Sequence, residues 1–407
     1  MKLFVDTIPG WNSVACGLFL PVGSCHEKVN QLGLSHFLEH LVFKGTGKRS
    51  AKDIALEMDS TGGDLNAYTS VEYTSFYAKV LKGDLNLALD ILFDLAFNPK
   101  LTLDAIELER GVVLSEIAEY LDAPDEIAGV RAFQAAWGDH PLARPVLGSQ
   151  EVIRTVSADE VRDYHAKYYI KDKAFISVCG GITFDEMSAL LSKMDGSVKE
   201  LSGRPMNLGK PPIFKPRKLA MERDSEQVYF TYCWPGPPLG AHGVALSLVL
   251  SVILSGSTSS RLFQRLREQE GLVYNISILS SMSTNSGLIG VYGATQNKNF
   301  EKSRKILEEE IHLLRNKGVS GDELNRAKRM IKGSTSLSLE SNIARMERAG
   351  KLGLLLGKVS PIDEVINKIE KIELENFNDY LMKNIPEDWA VSIVGKGLKE
   401  LESFEVE

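Results

Sequence analysis

Residues 34–43 of the chain read LSHFLEHLVF and are followed by glycines at positions 45 and 47. The apolar residues at helical spacing predict a helix that the two glycines end. His36, Glu39 and His40 stand at positions i, i+3 and i+4 of that helix. At about 3.6 residues per turn these three side chains share one face, while the leucines and Val42 are left to pack against a core.

The chemistry of this face points to a metal. Two imidazoles one helical turn apart can bind the same zinc ion, and a carboxylate beside the second imidazole can reach an attacking water without being a ligand. The order His-x-x-Glu-His is itself a zinc motif, the inverse of the commoner His-Glu-x-x-His. It predicts that His36 and His40 bind zinc and that Glu39 is the catalytic base. The alternative is a chance set of polar groups on a solvated helix face.

A catalytic zinc site needs a third protein ligand, which is often a carboxylate. Residues 103–121 predict a helix whose apolar positions face a core, and Glu109 and Glu116 lie two turns apart on another face of it. From these residues alone the ligand could be Glu107, Glu109, Glu116 or Glu119. All four could also be ordinary exposed glutamates.

Length and composition bound the class of protein. The chain has 407 residues, 43% of them hydrophobic and 25% charged, which predicts a globular protein with two domains. A net charge of −7 argues against a nucleic-acid surface. There is no apolar run long enough for a membrane span, no secretion signal and no Cys-x-x-Cys pair among the four cysteines. We expect a cytoplasmic protein that binds neither nucleic acid nor membrane.

Residues 201–218, LSGRPMNLGKPPIFKPRK, predict a linker because prolines stop regular structure and charges favour water. This predicts domains at 1–200 and 219–407. Residues 163–164 and 174–180 resemble residues 379–380 and 390–395 at a nearly constant offset, which indicates an internal duplication. Strands and helices follow each other irregularly, so we expect an α+β fold: two homologous domains, each a mixed or antiparallel sheet with helices packed on one side.

Together these features resemble the pitrilysin/insulinase superfamily, and specifically its branch of mitochondrial-processing-peptidase-like proteins. That family carries a ligand glutamate 76 residues after the second histidine, and here 116 − 40 = 76, which selects Glu116. The resemblance also implies that Glu109 supports the site by orienting a ligand histidine. It predicts a processing-peptidase-like fold with one zinc ion per chain.

The resemblance extends to the substrate. Residues 62–69, GGDLNAYT, are similar to the edge strand with which the family pairs an extended peptide. The resemblance implies that substrate is bound by Asn66, Ala67, Tyr68 and Glu72. Without the family, the same segment reads as an ordinary strand after a Gly-Gly turn.

The second half resembles the family's inactive domain, because it lacks a His-x-x-Glu-His motif but has an arginine and a tyrosine seven residues apart, Arg267 and Tyr274. In the family such an arginine holds substrate carbonyls or a carboxylate, and the tyrosine donates to the oxyanion. Chains of this size pair there to enclose a chamber. We therefore expect a homodimer in which the Arg/Tyr pair acts on the zinc site of the other subunit.

The predicted function is that of a zinc-dependent endopeptidase that hydrolyses unfolded peptides in a closed chamber. One alternative is a non-catalytic assembly or peptide-binding subunit, although such members have usually lost a ligand or the glutamate. Another is a zinc hydrolase of small molecules. Residues 1–11 match the family poorly, so the first strand is expected to be short or altered.

Overall fold

The computed structural model describes residues 1–194, 199–200, 209–398 and 404–406, so residues 201–208 of the predicted linker lie outside the described residues. The chain packs into two compact units. The first unit consists of Met1–Ala118, Arg144–Asn207 and Leu337–Val359. The second consists of Glu119–Ala143, Leu208–Ser336 and Ser360–Glu407.

The first unit is built on a six-stranded sheet with the order β3-β4-β2-β5-β1-β6. Its strands are β1 Lys2–Thr7, β2 Ser13–Leu20, β3 Asp64–Thr69, β4 Thr74–Leu81, β5 Phe175–Gly180 and β6 Lys199–Glu200. Strand β1 pairs with β5 and β6 in parallel, and the other pairs are antiparallel. Strand β2 is buried on both faces, because alternate residues of a strand point to opposite sides of the sheet. The sheet is therefore an internal layer at β2, and among the described strands β3 and β6 form its two edges.

The second unit repeats this topology. Its strands are β7 Lys218–Glu222, β8 Gln227–Gly236, β9 Val273–Met282, β10 Gly287–Gln296, β11 Ala390–Gly395 and β12 Glu405–Val406. Their order is β9-β10-β8-β11-β7-β12, which is the first order with six added to every number. A shared order of six strands supports the internal duplication inferred from the sequence.

The described helices include both segments that the sequence predicts to be helical, Leu34–Val42 and Leu103–Leu121. They are α1 Leu34–Val42, α2 Ala51–Thr61, α3 Leu85–Phe97, α4 Leu103–Leu121, α5 Pro124–Trp137, α6 Gln150–Thr155, α7 Ala158–Tyr168, α8 Phe184–Lys193, α9 Gly243–Ser255, α10 Phe300–Lys317, α11 Gly321–Ser338, α12 Asn342–Leu356, α13 Ile362–Glu370 and α14 Leu374–Asn384. None of the described helices combines the length and the hydrophobicity that a membrane span requires.

The α+β class is confirmed, and each sheet also carries a helix on the face opposite its main core. In the first unit this helix is α12, whose Gly350 lies so close to the sheet that a Cβ there would stand 2.1 Å from the ring of Phe19. In the second unit it is α5, where the Cys233 thiol lies 3.6 Å from the Ala132 carbonyl. The sequence predicted helices on one side of each sheet, and the structure adds α12 or α5 on the other side.

These two helices also explain why the compact units are discontinuous. Helix α12 follows the second sheet's strands β7–β10 in sequence but belongs to the first unit, and α5 precedes the predicted linker but belongs to the second. The boundaries 1–200 and 219–407 therefore stay a prediction for the two duplicated halves. The two compact units are a different division, which follows packing rather than sequence order. The first strand, expected to be short or altered, is a complete strand between β5 and β6.

Candidate metal centre and active site

Helix α1 presents two histidines on one face, as its sequence predicts. The opposite side of the helix is anchored by Phe37, Leu38 and Leu41, which are buried in the core of the first unit. The rings of His36 and His40 have centroids 4.6 Å apart at an interplanar angle of 63°. Because the apolar side cannot leave the core, the two imidazoles are held next to each other.

The third group comes from α4. Nε2 of His36 lies 3.5 Å from Oε1 of Glu116, and Nε2 of His40 lies 3.5 Å from Oε2 of the same carboxylate. One ligand atom from each of the three residues falls within 4.8 Å of the others, and no other such group of histidine, cysteine or acidic side chains is found among the described residues. Of the candidate glutamates on α4, only Glu116 belongs to this group.

The partners of the His40 ring suit a metal ligand. The buried carboxylate of Glu109, 2% exposed, lies 3.0 Å from Nδ1 of His40 and 2.6 Å from Nζ of Lys44. A proton on Nδ1 donated to Glu109 leaves the Nε2 lone pair facing Glu116, which is the tautomer that binds a metal. Glu109 therefore faces Nδ1 of His40, while Glu116 faces Nε2 of the same ring.

His36 also suits a metal ligand. Burial lowers the pKa of His36 to about 4, with His40 adding to the shift, so its imidazole is neutral at pH 7. Its Nδ1 is buried and has no hydrogen-bond partner among the described residues. Two imidazoles and a carboxylate within reach of one point are a donor set that fits zinc.

Glu39 stands beside this set without belonging to it. Its Oε2 accepts a hydrogen bond of 2.8 Å from the Thr69 hydroxyl at the end of β3. Burial raises the pKa of Glu39, the hydrogen bond from Thr69 and the charge of His40 lower it, and Glu116 raises it. Thr69 lies in the segment singled out in the sequence, yet it received no role there, since only the sheet brings it to Glu39.

The predicted substrate strand is an edge. Among the described strands β3 pairs only with β4, so its other side is free. The Ala67 N–H donates to the side chain of Asn66 at 2.8 Å rather than to β4, so this donor belongs to the free side. A groove of about 670 Å³ runs beside β3, with Met58 of α2 and Tyr77 of β4 among its lining residues. The strand therefore has a backbone N–H that does not pair with β4, and a groove beside it.

The other two predicted substrate residues, Tyr68 and Glu72, make contacts within the first unit. Tyr68 lies on β3 but turns its hydroxyl to that of Tyr73, 3.1 Å away. Glu72 lies in the turn after β3 and is 5% exposed, which leaves little surface for contact with a peptide. Burial lowers the pKa of Lys351 and the charge of Glu72 raises it, so Glu72 interacts with a lysine of the same unit.

Arg267 and Tyr274 lie in the second unit and contact each other. The Arg267 guanidinium lies over the rings of Phe263 and Tyr274, at 4.7 and 5.1 Å from their centroids. Arg267 belongs to a π-helical segment, Phe263–Gln269, a local structure often found at functional sites. Tyr274 is 81% exposed and lies on β9, the edge strand that corresponds to β3. The side chains are thus paired and accessible.

Comparison with known proteins places both halves in one family. Residues 6–150 match the family described as Insulinase (Peptidase family M16), and residues 155–331 match the Peptidase M16 inactive domain. An uncharacterized zinc protease of Bacillus subtilis is 37% identical over 394 residues, covering 97% of this chain and 96% of that protein. One of Mycobacterium tuberculosis is 33% identical over 399 residues, covering 97% and 91%.

Solved structures share the fold. A peptidase M16 inactive domain from Pseudomonas fluorescens superposes with a TM-score of 0.87 at 18% identity, covering 97% of this chain and 95% of that one. A protease from Helicobacter pylori gives a TM-score of 0.86 at 20% identity, covering 97% and 96%. At these identities the likeness speaks for the fold alone.

Proposed function

The chain belongs to the peptidase M16 (insulinase) family, and from this premise we propose that it is a zinc-dependent endopeptidase acting on unfolded peptides. The observation that carries the proposal is the cluster of His36, His40 and Glu116 with Glu39 beside it, held by Thr69. This arrangement provides three ligands and a separate carboxylate, which are the parts that hydrolysis at a metal requires.

In the proposed reaction, His36, His40 and Glu116 would hold one zinc ion per chain. Zinc bound there would supply Lewis-acid stabilisation of the oxyanion and lower the pKa of the attacking water to about 7. The Glu39 carboxylate takes a proton from the water as its oxygen bonds to the scissile carbonyl carbon, and passes that proton to the amine nitrogen as the C–N bond breaks. The Thr69 hydrogen bond orients the carboxylate, and Glu109 keeps the His40 ring in its metal-binding tautomer.

The peptide would be bound as an additional strand on β3. Its backbone pairs with the free edge that includes the Ala67 N–H, so that recognition depends little on side chains. Only an extended, unfolded segment can pair in this way. The Tyr274 hydroxyl donates a hydrogen bond to the oxyanion, and Arg267 holds substrate carbonyls or a carboxylate.

We further propose that two copies of the chain form a homodimer enclosing a chamber in the cytoplasm, and that Arg267 and Tyr274 of each copy serve the zinc site of the other. The exposure of Tyr274 supports this assignment, because a group that completes a distant site must be accessible. Nucleic acid and membrane are not proposed as partners, in keeping with the acidic composition.

The central test replaces the base alone. Glu39→Gln is expected to keep about one zinc per chain by metal analysis and to abolish cleavage of a quenched fluorescent peptide. Glu119→Gln, on the neighbouring helix but outside the cluster, is the matched control and should cleave normally. Retained activity in Glu39→Gln would refute its role. Zinc binding without cleavage by the wild type would favour the non-catalytic peptide-binding subunit.

The shared site has its own test. A mixture of Glu39→Gln and Tyr274→Phe chains is expected to recover part of the activity that each variant lacks, because mixed dimers contain one intact combination. Subunit exchange is verified with differently tagged chains. If exchange occurs without recovery, each site is completed within one chain.

A further inference from the structure

Helix α1 begins at a glycine in the left-handed conformation. Its N-cap residue, Gly33, has a φ of 98° and no side chain to satisfy the first backbone N–H groups. A Cβ at Gly33 would lie 2.7 Å from the carbonyl oxygen of Leu147, so no larger residue fits. The N-terminus of the helix therefore needs a hydrogen-bond acceptor from elsewhere.

Glu27 supplies that acceptor. Its Oε2 accepts from the Gly33 N–H at 2.8 Å, and its Oε1 accepts from the Ser35 N–H at 2.7 Å. The side chain is 2% exposed. Burial raises the pKa of Glu27 to about 7, against the opposing hydrogen bonds from Ser35 and Gly33 and the charge of Arg144.

Three other helices of the first unit, α2, α7 and α8, are capped by a hydroxyl. Ser50, Ser157 and Thr183 each accept a backbone N–H of the helix they begin, from an exposed position. A buried carboxylate is a costlier way to cap a helix than a hydroxyl. Glu27 therefore does more than close the first turn: it attaches α1 to a separate segment of chain.

That segment is attached in turn to the hairpin that carries Thr69. The Cys25 N–H donates to the Val71 carbonyl at 2.9 Å, and the Ser24 N–H donates to the Ser70 carbonyl at 3.3 Å. Both carbonyls belong to the turn directly after Thr69. The Arg144 guanidinium additionally donates to the Glu27 carbonyl.

These contacts close a ring around the candidate active site. Glu39 on α1 is hydrogen-bonded to Thr69, and the turn after Thr69 is hydrogen-bonded to residues 24–25. Two residues further along the chain, Glu27 is hydrogen-bonded to the start of α1. We propose that Glu27 is a positioning residue that fixes the axial position and rotation of the zinc-binding helix relative to β3. It thereby keeps Glu39 against Thr69, and both histidines opposite Glu116.

This inference rests on the proposed function for its kinetic readout, and zinc affinity tests it independently. The variants are Glu27→Ala, which removes the acceptor, and Glu27→Gln, which keeps one carboxamide oxygen. Ser157→Ala is the matched control, because it removes the cap of α7 in the same unit without touching α1. Zinc affinity is measured by chelator competition, and kcat and KM at saturating zinc.

Glu27→Ala is expected to weaken zinc binding by about 10- to 100-fold, the usual effect of losing support behind metal ligands. At saturating zinc it should lower kcat and leave KM unchanged, because β3 is intact. Glu27→Gln should fall between wild type and Glu27→Ala. Ser157→Ala should retain the zinc affinity and kcat of the wild type.

Wild-type zinc affinity and kcat in a folded Glu27→Ala protein would overturn the proposal, as would equal losses in Ser157→Ala. If Glu27→Ala does not fold, Glu27→Gln decides the question. The proposal is overturned if Glu27→Gln has the zinc affinity and the kcat of the wild type. Should the wild type bind zinc but cleave no peptide, the proposed function fails, while the zinc affinities still support or refute the role of Glu27.

Discussion

The contact between Thr69 and Glu39 yields the most direct prediction. Thr69→Val replaces the hydroxyl by a methyl group of similar shape and leaves Glu39 without its donor at 2.8 Å. A hydrogen bond to a charged group contributes about 1.5–3 kcal/mol. Since about 1.4 kcal/mol corresponds to a factor of ten, kcat should fall by roughly 10- to 100-fold if the bond orients the base in the transition state.

The pH profile gives a second, signed readout. The Thr69 hydrogen bond lowers the pKa of Glu39, so its loss raises that pKa. A general base must be deprotonated, and the acid limb of the rate profile should therefore move to higher pH in Thr69→Val. Thr69→Ser, which keeps the hydroxyl, is the control and should retain both the rate and the position of the limb.

The assay is cleavage of a quenched peptide across pH 5–8 at saturating substrate, with zinc content measured in every sample. Equal zinc in all three proteins is needed to attribute the change to Glu39. The reasoning fails if Thr69→Val turns over like the wild type with an unmoved acid limb. It also fails if Thr69→Ser loses as much activity as Thr69→Val.

Three further outcomes are expected. Glu109→Gln should weaken zinc binding by about 10- to 100-fold in a chelator competition, because His40 loses its charged acceptor; an unchanged dissociation constant would argue against that role. In protein stripped of metal by a chelator, the lowered pKa of His36 means that the unfolded chain binds a proton before the folded chain does as pH falls from 6.5 to 4. Up to about 3 kcal/mol of the free energy of unfolding is therefore lost over this range. Urea unfolding of His36→Gln should lack this pH-dependent loss, and the same pH dependence as in the wild type would contradict the reasoning. Ala67→Pro should lower kcat/KM by roughly 3- to 10-fold through the lost edge N–H, with zinc content unchanged; full kcat/KM would exclude pairing at that position.

The sequence alone determined the features that depend on local periodicity. The spacing of His36, Glu39 and His40 placed three polar groups on one helix face, because 3.6 residues make a turn whatever surrounds the helix. The same reasoning gave the bounds of α4 and the α+β class. Glu116 was different: local spacing left four glutamates open, and only the resemblance to a family selected it.

The tertiary structure decided which faces meet. That Glu116 lies 3.5 Å from both imidazoles, and that Thr69 holds Glu39, depends on how α4 and β3 pack against α1. The same is true of α12, which packs on the first sheet although it follows most of the second in sequence. Periodicity states which side of an element is apolar or polar, whereas its partner is chosen by shape and burial across long separations. Glu27 illustrates this limit: in the sequence it is an ordinary glutamate, and only its burial beneath Gly33 and Ser35 connects it to the metal-binding helix.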